Sequence, residues 1–238
     1  MKKQILKKFN ILGYEVFQFV DESGDYYRDR DALYYDYLLA LPFLPKGEIH
    51  YVDIGARNGD SVRQLIPLKE RIKSIICFEP NPEEFEKLKI VCNQNKFEVS
   101  LNDFAISEES GMLDFVWDEK ERNGGLKNEI SLSQNWDSEK KLKCLCWEDF
   151  SNDLKIKLSR TNFIKVDTEG SDIDCLMQLQ EIIVKNQPNI MIEWFPNTET
   201  KIEEFCRKFS YYAINPETLQ TPKQWCHNLI LLHKNANI

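Results

Sequence analysis

One segment near residue 50 constrains the fold more than any other, because a strand pattern, a glycine loop and a helix pattern follow one another there. Residues 49–54 form an apolar strand pattern, and the loop after it begins at Gly55 and closes at Gly59. Residues 60–68 then have a helical pattern that Pro67 brings to an end. Two glycines four residues apart let the chain turn tightly and approach a ligand closely, with helix N–H groups free to bind it. The segment therefore predicts a ligand-binding strand–loop–helix unit.

Strand and helix patterns alternate along most of the remaining chain. Further apolar strand patterns lie at residues 74–79, 99–105, 162–167 and 189–193, and helix patterns lie at 83–95, 172–181 and 199–209. Residues 211–214 and 228–233 have the pattern of two closing strands, which we expect to pair antiparallel. This alternation is typical of an α/β fold in which a largely parallel sheet carries helices on both faces.

Two segments lie outside this alternation. Residues 111–117 and 141–147 each alternate polar and apolar side chains, and they flank a polar stretch that contains Gly124 and Gly125. They predict an inserted β-hairpin in the sheet, with residues 118–140 as a lid or substrate loop. The first 45 residues are predicted to form a cap that packs on the sheet. No linker divides the chain, so residues 46–238 are expected to form one domain.

The composition limits the classes of partner. The 31 Lys and Arg residues are outnumbered by 39 Asp and Glu residues, which gives a formal net charge of -8. A negative surface repels the phosphate backbone that dominates nucleic-acid affinity, and no run of 18 apolar residues is present to span a membrane. We expect a small-molecule or glycan partner, no nucleic acid and no membrane span.

Cysteine usage and the first residues indicate the compartment. The seven cysteines are an odd number scattered over the chain, which favours free thiols in a reducing cytosol. Polar residues interrupt the apolar core that a signal peptide would need, so we expect a cytoplasmic protein. Zinc ligands come in clusters, and the nearest approaches are the pairs Cys144 with Cys146 and Cys226 with His227. No metal site is assigned from the sequence.

Two acidic residues sharpen the prediction for the ligand. Asp53 lies two residues before Gly55, where an anion would repel the pyrophosphate of NAD or FAD and would favour a cationic ligand. S-adenosylmethionine is such a ligand, because it carries a sulfonium and an ammonium, and its carboxylate can accept the loop N–H groups. Glu79 ends the second strand 20 residues after Gly59, where its carboxylate can accept both ribose hydroxyls.

Four phrases of the sequence together resemble a known family. They are DIGARNG at 53–59, FEPNP at 78–82, NDFAIS at 102–107 and KVDTEG at 165–170. In order and spacing, over about residues 49–195, they resemble the FkbM family of S-adenosylmethionine-dependent methyltransferases. The resemblance implies the Rossmann-like class I methyltransferase fold, with a seven-stranded, mostly parallel sheet whose last strand is reversed. It also implies O-methylation of a hydroxyl on a sugar, polyketide or related metabolite.

The resemblance implies a set of cofactor-binding residues. It places the glycine loop at the methionine part of the cofactor, Glu79 at the ribose and the end of the third strand at the adenine. The residues so assigned are Asp53, Gly55, Ala56, Arg57, Asn58, Gly59, Glu79, Pro80, Asn81, Asn102, Asp103, Phe104 and Asp167. The sequence departs from the family at Arg57, where Asn is usual, so a hydrogen bond near the methionine is altered. A milder departure is CWEDF at 146–150, where a TLDDF type of phrase is usual.

Three carboxylates are predicted to perform the chemistry. Methyl transfer to oxygen needs an acceptor aligned with the sulfonium and a group that removes its proton. Asp167 ends the fourth strand, Glu169 follows two residues later and Glu193 ends the fifth strand, so all three should face the cofactor crevice. Grouped carboxylates raise one another's pKa, which suits a general base or a cation site. We predict that Asp167 is the base or orients the acceptor, supported by Glu169 and Glu193.

Several alternatives stay open. The carboxylate of Glu169 could simply cap the following helix, and His227 or His233 could act as the base. At the level of the whole protein, the first alternative is a nucleotide-linked oxidoreductase, against which the incomplete G-x-G-x-x-G pattern argues. The second is a non-catalytic domain that keeps the S-adenosylmethionine pocket and serves as a binding partner.

Overall fold

A seven-stranded sheet forms the centre of the computed structural model, with a separate two-stranded and a separate four-stranded sheet. The structure describes residues 4–11, 14–20, 39–95, 97–118, 123–127, 138–222 and 226–235. The strands are β1 Gln4–Ile11, β2 Tyr14–Val20, β3 Ile49–Ile54, β4 Ile72–Phe78, β5 Val99–Asn102, β6 Ala105–Ile106, β7 Gly111–Asp118, β8 Asn123–Leu126, β9 Ser138–Leu145, β10 Phe163–Val166, β11 Asn189–Glu193, β12 Tyr211–Ile214 and β13 Asn228–His233. The α-helices are α1 Asp60–Arg63, α2 Pro82–Asn95, α3 Asn152–Leu158, α4 Asp172–Gln178, α5 Gln180–Asn186 and α6 Glu199–Phe209.

The order of the strands confirms the predicted fold class. In the central sheet the order is β12-β13-β11-β10-β3-β4-β5. Neighbours from β11 to β5 are parallel, whereas β13 is antiparallel to both β11 and β12. The chain moves from β3 towards β5 on one side and returns to β10 on the other, so the order reverses between β3 and β10. Ligands of open α/β sheets bind at such a switch point, beyond the carboxyl ends of the strands.

Alternate residues of β3 enter two different cores, which explains why helices cover both faces of the sheet. Ile49 and Tyr51 are buried with side chains of α1 and α2. Val52 and Ile54 are buried with side chains of α4, α5 and α6. Successive side chains of a strand point to opposite faces, and a parallel strand buried on both faces has an almost continuous apolar sequence. Within β3, Asp53 is the charged exception.

The predicted hairpin pairs as expected but does not belong to the central sheet, so that part of the prediction was wrong. β7 and β9 pair antiparallel, and with β6 and β8 they form a four-stranded sheet in the order β6-β9-β7-β8. The third strand pattern at 99–105 splits, because β5 ends at Asn102 and Ala105 pairs with Cys144 of β9 instead. The small sheet has a core of its own, made by Phe115, Leu126, Leu142 and Cys144.

Other differences from the sequence-based expectations are local. The helix after the glycine loop is shorter than expected, since α1 gives way to a 3-10 helix at Ile66–Arg71, where Pro67 follows Ile66. The polar stretch around Gly124 forms β8. Most of the expected lid, residues 119–122 and 128–137, lies outside the described residues. The same is true of residues 21–38 in the expected cap, whose last part, including Leu41 and Phe43, is buried in the core beside β3.

Within the described residues, no helix combines the length and the apolar character needed to cross a membrane. All seven cysteines are free thiols, four of them buried.

Candidate active site

The glycine loop between β3 and α1 is held against the end of β10. Gly55 has φ of 75° and Gly59 has φ of 85°, values that favour glycine. A Cβ on Gly55 would overlap the carbonyl oxygen of Asp167, and one on Gly59 would lie 3.0 Å from Leu88 of α2. Gly55 is therefore required by close packing inside the protein, and Gly59 has little room for a side chain. The approach of a ligand to this loop stays a prediction.

Asp53 makes its contacts inside the protein. Its side chain is fully buried, its Oδ2 accepts a hydrogen bond from Ser61 Oγ, and its Oδ1 lies 3.2 Å from Lys165 Nζ. Lys165 lies opposite Asp53 on β10 and donates to the carbonyl oxygen of Gly55 at 2.7 Å. Burial alone would lower the pKa of Lys165, but the carboxylates of Asp53 and Asp167 raise it, so the lysine stays charged. Asp53 thus anchors the loop through its ion pair with Lys165, which in turn donates to the loop backbone.

Glu79 lies immediately after β4 and accepts two backbone hydrogen bonds. Its Oε2 accepts from Arg57 N at 2.7 Å and its Oε1 accepts from Asn81 N at 2.8 Å. Burial raises the pKa of Glu79 to about 7, although the two N–H groups act in the opposite direction. Each oxygen keeps lone pairs that are not used by these bonds, since a carboxylate has about four acceptor positions. Glu79 can therefore accept two more hydroxyl groups from a ligand.

A cavity of about 760 Å³, including its opening to solvent, lies at the carboxyl ends of β3, β4 and β10. Its lining combines strand ends with one face of the small sheet. The lining residues are Ile54, Gly55, Arg57, Phe78, Glu79, Pro80, Phe104, Ala105, Ile106, Phe115, Trp117, Gly124, Gly125, Leu126, Asp167, Thr168, Glu169, Ser171 and Cys175. Two buried polar atoms of this lining, Arg57 Nε and Thr168 Oγ1, have no hydrogen-bond partner among the described residues. This size and mixture of surfaces suit a small-molecule site.

Three carboxylates come together at one side of this cavity. One oxygen each from Asp167, Glu169 and Glu193 lies within 4.8 Å of the others. Burial, followed by the charges of Asp167 and Asp172, raises the pKa of Glu169 to about 8. Burial and the charges of Asp167 and Glu169 also raise the pKa of Glu193 well above its ordinary value. The structure therefore groups the three residues that the sequence placed on one rim.

The loop between β10 and α4 is shaped by Asp172, so the alternative in which Glu169 caps the helix is not supported. Asp172 Oδ1 accepts from Thr168 N at 3.0 Å, and its Oδ2 accepts from Gly170 N at 3.2 Å. α4 begins at Asp172, three residues after Glu169. Glu169 has φ of 59°, a conformation unusual for a residue with a side chain. The loop holds this backbone while its carboxylate joins the cluster.

Comparison with known proteins gives the family. The family model described as "Methyltransferase FkbM domain" matches residues 53–220, which is most of the chain. The chain belongs to the FkbM methyltransferase family. The motifs quoted from the sequence indicated the same family, whose cofactor is S-adenosylmethionine. A sequence search of curated proteins gives no match.

Structural comparison of this FkbM-family chain finds similarity to solved methyltransferases. An FkbM methyltransferase from Methylobacillus flagellatus KT is 16% identical, with a TM-score of 0.52 over 77% of this chain and 43% of that one. This chain therefore spans less than half of that protein's length. Precorrin-6y C5,15-methyltransferase from Geobacter metallireducens GS-15 is 12% identical, with a TM-score of 0.45 over 82% and 84% of the two chains. TrmK of M. capricolum, solved with S-adenosylhomocysteine, is 12% identical, with a TM-score of 0.42 over 85% and 69%.

The predicted site residues of this family member divide into two groups. Those that line the cavity are Gly55, Arg57, Glu79, Pro80, Phe104, Asp167 and Glu169. Those that are not among the lining residues are Asp53, Ala56, Asn58, Gly59, Asn81, Asn102, Asp103 and Glu193. Among the second group, Asn102 Nδ2 donates to the carbonyl oxygen of Cys77 at 3.0 Å, and Asp103 is exposed. Their roles towards the cofactor stay predictions.

The sequence interpretation missed one wall of the cavity. Phe115 and Trp117 of β7 stack with ring centroids 6.5 Å apart, and Gly124 of β8 leaves room for both rings. Their alternation predicted a strand, but only the pairing of that strand shows which face it turns to the cavity. Of the two histidines, His227 Nε2 lies 3.4 Å from Glu193 Oε1, and His233 is buried against the ring of Tyr211.

Proposed function

We propose that this chain transfers a methyl group from S-adenosylmethionine to a hydroxyl of a carbohydrate or another small metabolite. One observation carries the proposal. Glu79, Asp167 and Glu169 line the same cavity. A carboxylate suited to binding the ribose hydroxyls and carboxylates suited to accepting a proton therefore lie around one ligand site. Family membership supports methyl transfer, and the acidic groups support an acceptor that must lose a proton.

The residues around the cavity fit the cofactor. Glu79 has acceptor positions left for the two ribose hydroxyls. The Nε–H of Arg57 is a buried donor without a partner among the described residues, and a carboxylate such as that of the methionine part would satisfy it. Phe104, which is buried and belongs to the lining, is proposed to offer its ring to the adenine. Arg57 would thereby take over the contact expected of the usual Asn.

The proposed chemistry needs alignment and one proton acceptor. When bound, the cofactor supplies a methyl group activated by the sulfonium. Asp167 is proposed to accept the proton of the acceptor hydroxyl, while the oxygen forms its bond to the methyl carbon and the carbon–sulfur bond breaks. Lys165 Nζ lies 3.5 Å from Asp167 and holds that carboxylate in place. Glu169 and Glu193 favour proton uptake, because their negative charges stabilise the proton on the cluster.

The acceptor is proposed to be small. The formal charge of -8 disfavours an RNA backbone, and the aromatic wall of Phe115 and Trp117 suits the apolar face of a sugar ring. Free thiols throughout the chain support a cytoplasmic location. The FkbM match leaves the nucleotide-linked oxidoreductase without support, whereas the non-catalytic cofactor-binding domain stays a second outcome of the test.

The test begins with calorimetric titration of the whole chain with S-adenosylmethionine, S-adenosylhomocysteine and NAD. We expect the first two to bind and NAD not to bind, with binding lost in Glu79→Ala. Methyl-labelled cofactor is then incubated with a panel of hydroxylated sugars and metabolites and with small RNAs. Label on a hydroxyl compound supports the proposal. Label on RNA would show that the acceptor is RNA and would overturn the proposed hydroxyl acceptor. Cofactor binding without any methyl transfer would support the non-catalytic cofactor-binding domain.

A further inference from the structure

We propose that Asp167, Glu169 and Glu193 form a binding site for one divalent metal ion of the Mg²⁺ or Mn²⁺ type. One carboxylate oxygen from each residue lies within 4.8 Å of the other two. Carboxylate oxygens bind hard divalent ions at about 2.0 to 2.6 Å, so ligands on opposite sides of one ion are roughly 4 to 5 Å apart. The spacing of the three oxygens therefore matches one coordination shell, and oxygen ligands are the type that such ions prefer.

Glu193 supplies the second observation. Its side chain is almost completely buried, and its Oε2 has no hydrogen-bond partner within the described part of the chain, while the side chain also meets the Asp167 carboxylate of the same cluster. A buried carboxylate oxygen without a partner costs free energy, and such atoms are rare in folded proteins. A metal ion in the cluster would supply the missing partner. Acidic residues on the surface have no such need, because water can supply their hydrogen bonds.

The charges around the cluster also favour a bound cation. Lys165 Nζ lies 3.5 Å from Asp167, but its other ion pair with Asp53 is shorter, so one positive charge serves two carboxylates. His227 approaches Glu193 from a half-exposed position. Three neighbouring carboxylates repel one another in a partly buried place, and a divalent ion would reverse that repulsion.

The site deepens the proposed function, and its part in catalysis rests on that function. Three protein oxygens leave coordination positions of an octahedral ion open for water or for an acceptor. Asp167 and Glu169 line the cavity, so an acceptor oxygen would reach the ion there. A hydroxyl bound to the ion would give up its proton more readily, and Asp167 would be the residue that accepts it. Two adjacent hydroxyls could bind together, which points to polyhydroxylated acceptors such as sugars.

The experiment is metal titration of the whole chain without an acceptor. Free Mn²⁺ is followed by electron paramagnetic resonance, and MgCl₂ and CaCl₂ are titrated by calorimetry. We expect one site per chain, weakened at least about tenfold in Glu193→Gln and in Glu169→Gln, because each loses an anionic ligand. Glu181→Gln, which changes an exposed acid on α5, should bind the ions like the wild type. S-adenosylmethionine binding by each variant shows that it is folded.

The outcomes separate the two proposals. Absence of a site for all three ions, or wild-type affinity in both folded cluster variants, overturns the metal site. Methyl transfer to a hydroxyl without any ion binding leaves the proposed function standing and removes the metal. Ion binding at the cluster, together with failure of transfer to every hydroxyl acceptor, supports the site and overturns the proposed function.

Discussion

The cavity has two acidic sides that are built in different ways. On one side Glu79 stands alone, and both of its oxygens accept backbone N–H groups. On the other side Asp167, Glu169 and Glu193 lie close together, and Glu193 keeps a buried oxygen without a partner in the described residues. All four carboxylates follow or end parallel strands, so their position in the sheet does not explain why their hydrogen-bond partners differ.

The comparison shows how the surroundings of a carboxylate decide what it can bind. Glu79 is fixed by two donors and can accept neutral hydroxyl groups without moving. In the cluster three carboxylates repel one another, so the cluster gains most from a proton or a cation. One side is therefore suited to recognition and the other to chemistry. The predictions below test this division, beginning with the largest expected effect.

Replacement of Asp167 by asparagine should affect turnover and spare cofactor binding. An amide cannot accept the proton, and loss of a general base typically lowers kcat about 10²- to 10⁴-fold. We expect the dissociation constant for S-adenosylmethionine to stay close to the wild-type value. Single-turnover kinetics with the acceptor from the screen measure the first quantity and calorimetry the second. Undiminished turnover would remove Asp167 from the role of base.

Replacement of Glu79 should have the opposite profile. Glu79→Ala loses two charge-assisted hydrogen bonds, each worth about 1.5 to 3 kcal/mol, so cofactor affinity should fall by about 100-fold or more. Glu79→Gln keeps one acceptor oxygen and should show an intermediate loss. Calorimetry measures both, with Asp167→Asn as the matched control from the other side of the cavity. Equal losses of affinity in all three variants would contradict the division.

The stability of the cofactor-free protein should fall as pH rises from 5 to 8. The folded protein holds the pKa of Glu169 at about 8 and that of Asp172 at about 7. A carboxyl group whose pKa is higher in the folded than in the unfolded state stabilises the fold at a pH below its unfolded pKa. That stability is lost as the pH rises to the folded pKa. Urea unfolding in the presence of a chelator measures the slope. Glu169→Gln should reduce the total loss by about 3 to 4 kcal/mol, whereas Glu181→Gln should follow the wild type.

The smallest expected effect is a pH dependence of cofactor affinity. Because burial raises the pKa of Glu79 to about 7, the carboxylate is mostly ionised at pH 8 and mostly protonated at pH 6. We expect the affinity for S-adenosylhomocysteine to fall by up to about tenfold as the pH is lowered from 8 to 6. Only the ionised carboxylate of Glu79 can accept hydrogen bonds freely from both ribose hydroxyls. Calorimetry of Glu79→Gln over the same range should give a flat profile. A matching slope in that variant would assign the effect to another group.

Much of the site could be predicted from the sequence because position along parallel strands carries spatial information. The carboxyl ends of parallel strands meet at one edge of a sheet, so Glu79, Asp167 and Glu193 had to lie near one another once their strands were identified. The family phrases fall on the same edge, and the match at residues 53–220 agrees with them. The roles assigned to individual residues remain predictions.

The partner of Asp53 could not be predicted with the same argument. Its place before Gly55 suggested that it faces a cationic ligand, but register between β3 and β10 puts Lys165 opposite it. Which strand lies beside β3 depends on where the chain crosses, and the sequence around Asp53 holds no signal for that. The small sheet was missed for a similar reason, because two-residue β6 pairs with a strand about 40 residues later.

The sequence by itself determined the fold class and the residues at the strand ends, because apolar periodicity and turn residues are local properties. The reversal of the last strand was implied by the resemblance to the family. Only the tertiary structure decided which groups each carboxylate meets. Asp53 has Lys165 and Ser61, and Glu79 has two backbone donors. Glu193 has a buried oxygen left over within the described residues. That distinction depends on distances of a few ångströms between distant parts of the chain, and hydrogen bonds and ion pairs act only over such distances.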